Sequence, residues 1–181
     1  MNMIAKGIFG AALVAAAGLA QATAPIYYTV NDDPTVYQLD LNPITDTFFG
    51  PSTVSSGLCS IPCTLSATGT LSDVIGGDTT LSVGHASVSG GLLCSAVSLS
   101  GFPWVGSVEH NSIPSPLGPV TFTLEGVSVS APICGSCSDK IDVTFDPANG
   151  GSFVFNGPIT PNGNCHVNGT LTSNNNYYAS H

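Results

Sequence analysis

Beyond the first two dozen residues, apolar and hydroxyl-bearing side chains alternate in short runs punctuated by Gly, Pro, Asn and Asp. A period of two marks strands with one buried face and one wet face. It predicts strands near 64–72, 79–89, 92–100, 104–110, 120–130, 140–145, 152–156 and 165–172. The clearest are Val120/Phe122/Leu124 and Ile141/Val143/Phe145, with hydroxyls or an acid in between. After Leu124 the apolar phase slips to Val127/Val129, and Gly126 at the slip predicts a β-bulge. Leu92, Leu93, Cys94, Val97 and Leu99 are apolar on both parities, which predicts a central strand. Pro114, Pro116, Gly118 and Pro119 predict a long turn, and Asn149-Gly150-Gly151 a hairpin connection. Strands at this spacing predict an all-β, antiparallel β-sandwich or jelly-roll-like single domain over 58–173.

Two stretches break the pattern. Residues 1–22 place Lys6 ahead of an apolar and small-residue run from Gly7 to Leu19, closed by Ala20-Gln21-Ala22. That is the layout of an export signal cut after Ala22, and the run is short for a membrane span. It predicts a secreted or cell-surface protein. No Cys follows the cut for acylation, and 174–181 is a polar tail without an anchor pattern. Residues 23–57 hold an Asp32-Asp33-Pro34 turn and the alternation Tyr37/Leu39/Leu41. They predict an extended N-terminal segment forming an extra hairpin on the domain. The alternative is a free strand completing a neighbouring copy by β-augmentation, as in an extracellular filament or biofilm matrix.

Export changes the reading of the cysteines. Cys59, Cys63, Cys94, Cys134, Cys137 and Cys165 all lie past the cut, and six in an exported chain predict up to three disulfides. Cys63 and Cys165 each begin a run on its inward parity, so bridges such as Cys63–Cys94 and Cys134 or Cys137 with Cys165 are reachable; the full pairing stays open. Cys134-Gly-Ser-Cys137 lacks the helix that a redox dithiol motif requires, so structural bridging is favoured. Zinc is disfavoured, because His166 alone adjoins a Cys and the spacing is wrong.

Charge narrows the partners. Only 7% of residues are charged. Past the cut one cation, Lys140, faces eleven carboxylates. Such a surface cannot neutralise phosphates, which excludes nucleic acid, and it repels anionic headgroups. The partners this predicts are apolar or uncharged surfaces, with self-association as a further option.

The chain lacks the nucleophile elbow, zinc-protease, P-loop and dinucleotide motifs. His85 continues the inward parity of Leu81 and Val83, where a hydrogen-bonded core histidine is the usual reading. Glu109 and His110 are sequence neighbours and would point to opposite faces of a strand. Asp139, Asp142 and Asp146 could supply oxygens to Ca²⁺, but they match no EF-hand loop, and solvated acids account for them equally. Asn168-Gly169-Thr170 is a short glycosylation sequon. We therefore expect no catalytic residues, no metal, no cofactor and no enzyme.

One block is more distinctive. Leu92-Leu-Cys-Ser-Ala-Val-Ser-Leu-Ser-Gly-Phe-Pro-Trp104 resembles the Cys-to-Pro-Trp segment of the alkane-oxidation activator (PraB-type) proteins. Ile61 to Thr70 is similar to the family's first Cys strand, and Gly126 to Cys137 and Gly163 to Leu171 resemble its later Cys segments. The resemblance covers Cys59 to Thr172 in the family's order, with a matching export signal. It implies a non-catalytic accessory protein that helps cells contact or take up hydrophobic substrates such as alkanes. On that implication Phe102 and Trp104 become candidate apolar contact residues, although a lone tryptophan capping the core is the favoured reading of Trp104. A structural filament subunit and a carbohydrate-binding or adhesin-like module are the other readings.

Overall fold

The computed structural model describes residues 24–31, 33–131, 133–159 and 165–180; the predicted export signal lies outside them. Twelve strands follow one another among these residues. They are β1 (Tyr27–Val30), β2 (Tyr37–Gln38), β3 (Ile44–Ser56), β4 (Cys59–Ser72), β5 (Asp78–Ser89) and β6 (Ser98–Ser100). The rest are β7 (Trp104–Glu109), β8 (Val120–Ala131), β9 (Gly135–Asp146), β10 (Ser152–Ile159), β11 (Cys165–Leu171) and β12 (Tyr177–Ser180).

β3, β4, β5, β7, β8, β9, β10 and β11 each pair antiparallel with the next, and β11 returns to β3. The expected sandwich or jelly roll is therefore corrected to a closed, eight-stranded, up-and-down barrel. Alternation cannot separate these folds, since both bury one face of each strand. Strand length and bending decide. β3, β4, β5, β8 and β9 run 12 to 14 residues, about twice the usual length. Long twisted strands curl, and two bulges increase the curl until the first and last strands meet. One bulge is the expected break at Gly126, between Leu124 and Val127. The other lies opposite Thr68 and Gly69, where Gly84 is the extra residue. It reverses the parity of β5, so Ala86 turns inward and His85, expected in the core, is exposed.

The inward positions fill the barrel. Phe48, Leu65, Leu81, Trp104, Phe122, Leu124, Val129, Val143, Phe155 and Val167 belong to one continuous core. Eight strands enclose about enough space for their own side chains. The apolar voids along the axis measure about 20 Å³ each. Each is about the size of a single water and far too small for an alkyl chain.

Two segments set apart by composition belong to the fold. Ile44–Ser56 is a full barrel strand, although the sequence placed it in the N-terminal segment. Residues of the polar tail form β12, which pairs with β1 in a small sheet of order β12-β1-β2. β1 has neighbours on both edges, so the strand considered as a donor to another copy is already paired within its own chain. The sheet caps the barrel end where β3 begins and β11 finishes. Ile26, Tyr28, Leu39 and Tyr177 are buried beneath it, with the Tyr28 and Tyr37 rings stacked at 5.4 Å.

Candidate functional site

The two ends of the barrel carry different chemistry. At the capped end polar groups converge. The Asp46 carboxylate accepts hydrogen bonds from Ser173 Oγ (2.5 Å), Asn175 Nδ2 (2.8 Å) and Tyr177 OH (2.8 Å). Burial pushes its carboxyl up, but these bonds and that of the Thr47 N–H outweigh burial and hold it below the usual carboxylate range. Burial first, and then Asp46, push the Tyr177 hydroxyl well above its ordinary value. Deeper in the same end, Asp73 Oδ1 accepts from Thr79 Oγ1 (2.5 Å) and His110 Nδ1 (2.8 Å), while His110 Nε2 meets the Ala24 carbonyl at 3.2 Å.

Sequence reasoning missed this group. His110 was read as the last residue of a strand beside Glu109; it instead begins a 3-10 turn and is fully buried. The available signal was weak: a His and an Asp separated by 37 residues, each at the end of an alternating run. The Thr79 hydroxyl donates to Asp73, so it is not paired with the imidazole as a nucleophile would be. Neither side chain of the His110–Asp73 pair is exposed, so no substrate reaches it. The group locks the cap.

The opposite end is formed by the β3–β4, β5–β6 and β8–β9 connections, and all three disulfides lie in this half. Cys59–Cys134 spans the barrel mouth between β4 and the β8–β9 turn. Cys63–Cys94 ties β4 to the β5–β6 connection. Cys137–Cys165 joins β9 to β11 across β10. This last bridge sits where the β9–β10 ladder has stopped: the two strands pair only from Ser152 to Phe155, while β10 continues along β11 to Ile159. Cys134 and Cys137 have different partners, so the C-x-x-C is not a dithiol pair.

The expected central strand at 92–100 is replaced here by a surface loop. A 3-10 turn occupies Cys94–Ala96, and only Ser98–Ser100 pairs, with β8. Apolarity on both parities came from residues serving two purposes. Cys94 is buried in its disulfide, while Leu92 is 89% and Leu93 48% exposed. At the same end Leu58 is fully exposed and Ile133 is 62% exposed. Each of the four is next to a bridged cysteine or one residue removed from it. The sequence from 47 to 72, from 79 to 108 and from 126 to 138 holds no Asp, Glu, Lys or Arg. This end is therefore an apolar tip without charge.

The residues proposed for apolar contact lie elsewhere. Trp104 is 3% exposed in the core, its Nε1 donating to Ser100 O at 2.8 Å, which corrects the contact reading of this residue. Phe102 stacks on it at 4.4 Å and is half-buried. Two of the three acids weighed for Ca²⁺ are engaged singly. Asp142 accepts from Thr123 at 2.7 Å, and Asp146 closes its own turn with Ala148 and Asn149. Among the described residues no three His, Cys, Asp or Glu side chains gather as a metal site would need.

What the fold defines is a disulfide-stapled closed barrel with a packed interior and two unlike ends. The chain belongs to the alkane oxidation protein activator PraA/PraB-like family, whose model matches residues 1–179. The match extends the motif resemblance into the capping sheet at both termini. No curated protein and no solved structure matches the chain.

Proposed function

We propose that this protein is an exported, non-catalytic accessory factor for alkane use, working by contact between its apolar tip and the surface of a hydrocarbon phase. Membership of an activator family supports the accessory role. The single observation that carries the contact reading is the segregation of chemistry between the two ends. Leu58 and Leu92 each gain roughly 2 kcal/mol on leaving water for hydrocarbon and the partly buried Leu93 and Ile133 about 1 kcal/mol each, and no charge near them must be dehydrated.

Val36, Leu41, Val74 and Ile75 are exposed on the capped side, but they do not compete. They lie among Asp33, Asp40 and Asp78, and drawing ions into oil costs several kcal/mol each. The same argument orients the molecule, with its tip in the oil and its acidic cap in water. The packed interior favours surface contact over carriage of a hydrocarbon inside the barrel.

Pendant-drop tensiometry against n-hexadecane tests the proposal. The purified mature protein is expected to lower the interfacial tension. The quadruple variant Leu58→Ser, Leu92→Ser, Leu93→Ser, Ile133→Ser is expected to lose most of this activity while keeping its circular dichroism. Equal activity in the two proteins would sink the reading.

A further inference from the structure

We infer that Cys59–Cys134 and Cys63–Cys94 assemble the contact surface itself, so that the protein gains its affinity for hydrocarbon only when these bridges close. This rests on the surface-contact reading above and adds its regulation.

The packing supports it. Ile61, Cys63, Cys94 and Ala131 form a buried cluster separate from the main core, with Cys59 and Cys134 packed against it. The tip is thus a small satellite whose interior consists largely of its own disulfides. The ladders do not substitute for them. Cys59 opens β4 and Cys134 lies in the β8–β9 turn, and β4 and β8 are separated in the sheet by β5 and β7. Leu58 and Ile133 sit in hairpin turns closed by the Ser56–Cys59 and Ala131–Gly135 pairs, but no direct pairing joins one hairpin to the other. The backbone of the loop bearing Leu92 and Leu93 makes only local turn bonds, Cys94 N–H to Gly91 O, Ala96 N–H to Leu93 O and Val97 N–H to Cys94 O, while the Cys94 sulfur lies 3.2 Å from the Pro62 carbonyl oxygen of β4. The loop's covalent link to β4 is Cys63–Cys94. With the thiols reduced, the two hairpin turns would keep their own ladders but lose the bridge that ties β4 to the β8–β9 turn, and the loop at 90–97 would lose its covalent tie to β4. Each residue would then have to be ordered on reaching the oil, a cost that pre-organisation removes.

The chemistry is thiol–disulfide exchange. For each bridge two cysteine thiols lose two protons and two electrons to a disulfide-bearing oxidant, which leaves as a dithiol. In a reducing compartment the tip stays unassembled, and the apolar surface forms after export.

The test compares oxidised mature protein with C59S/C134S and the better-packed C59A/C134V, and with C137S/C165S, a bridge in the same half that joins strand to strand and ties down no loop carrying an exposed aliphatic residue. Folding is read by circular dichroism and the emission of the buried Trp104, and adsorption by pendant drop on n-hexadecane. Both Cys59/Cys134 variants are expected to stay folded and to need roughly tenfold more protein for the same fall in tension, whereas C137S/C165S behaves as the parent. A folded Cys59/Cys134 variant that adsorbs like the parent overturns the inference and leaves the contact function standing. So does an equal loss in C137S/C165S, which would mark a general stability effect. Unfolding of both Cys59/Cys134 variants also overturns it, since the bridge would then serve the barrel. If the oxidised parent does not adsorb at all, the functional reading itself has failed.

Discussion

The two ends of this barrel are closed by different forces. The capped end is closed by packing and hydrogen bonds. Ile26, Tyr28, Leu39 and Tyr177 are buried there, Asp46 gathers three side-chain donors, and Asp73 and His110 are sealed beneath the cap. The tip is closed by covalent bonds. Because disulfides hold its loops, its aliphatic residues need not be buried to keep them in place, and four stand in solvent. A non-covalent lid must spend its apolar side chains on folding; a stapled tip can leave them free for contact.

That difference can be broken at either end. The largest effect is expected from opening the mouth. C59S/C134S releases a 75-residue separation and should lose about 4 kcal/mol in a denaturant titration on the chain-entropy account. At the cap, Leu39→Ala should cost about 3 kcal/mol, since Leu39 is 2% exposed and packs under the small sheet. Limited proteolysis should then cut first near the chain termini and leave the tip intact. A first cut in the 90–97 loop would reverse the assignment of which end the mutation loosens.

A pH scan sharpens the contrast. The folded carboxyl of Asp46 lies below its unfolded value of about 4, so its stabilisation is present above that value and is lost as pH falls through the folded one. The Tyr177 hydroxyl is raised, so its contribution is complete below about pH 10 and is lost as pH rises towards the folded value. The cap should therefore loosen at both extremes. Cys59, Cys63, Cys94 and Cys134 of the tip are all bridged and do not titrate. Hydrogen exchange at pH 3 and pH 7 should show protection of β1 and β12 falling with acid, while that of the Cys59–Cys63 stretch holds. Asp46→Asn should flatten the acid limb for the cap; an unchanged limb would remove Asp46 from this role.

The smallest stability effect belongs to the contact residues. Leu58→Ser and Ile133→Ser should each shift unfolding by no more than about 0.5 kcal/mol, because neither side chain is in a core. Their cost should instead show at the oil–water interface.

Alternation in the sequence located most strands to within a few residues, and it located the Gly126 bulge, because a period of two requires only neighbouring residues. Ile44–Ser56 fell outside the expected domain because it follows the Asp32-Asp33-Pro34 turn and the Tyr37/Leu39/Leu41 run in the segment set apart as N-terminal. Gly50 meets a constraint visible only in three dimensions, since a Cβ there would lie 2.0 Å from the Thr170 carbonyl oxygen of β11. The tip residues were legible only as hydrophobic. Leu92 and Leu93 read as core until a cysteine bridge to another strand showed that the loop was held from outside the sheet.

What the sequence alone determined was the local physics: strands, an export pattern, paired thiols and an almost cation-free surface. Tertiary structure decided the rest. Whether the strands closed into a barrel depended on how twist and bulges accumulated over eight of them, which no single strand encodes. Which apolar residues were left in water depended on where three loops met, and that meeting is set by bridges between residues far apart in the chain.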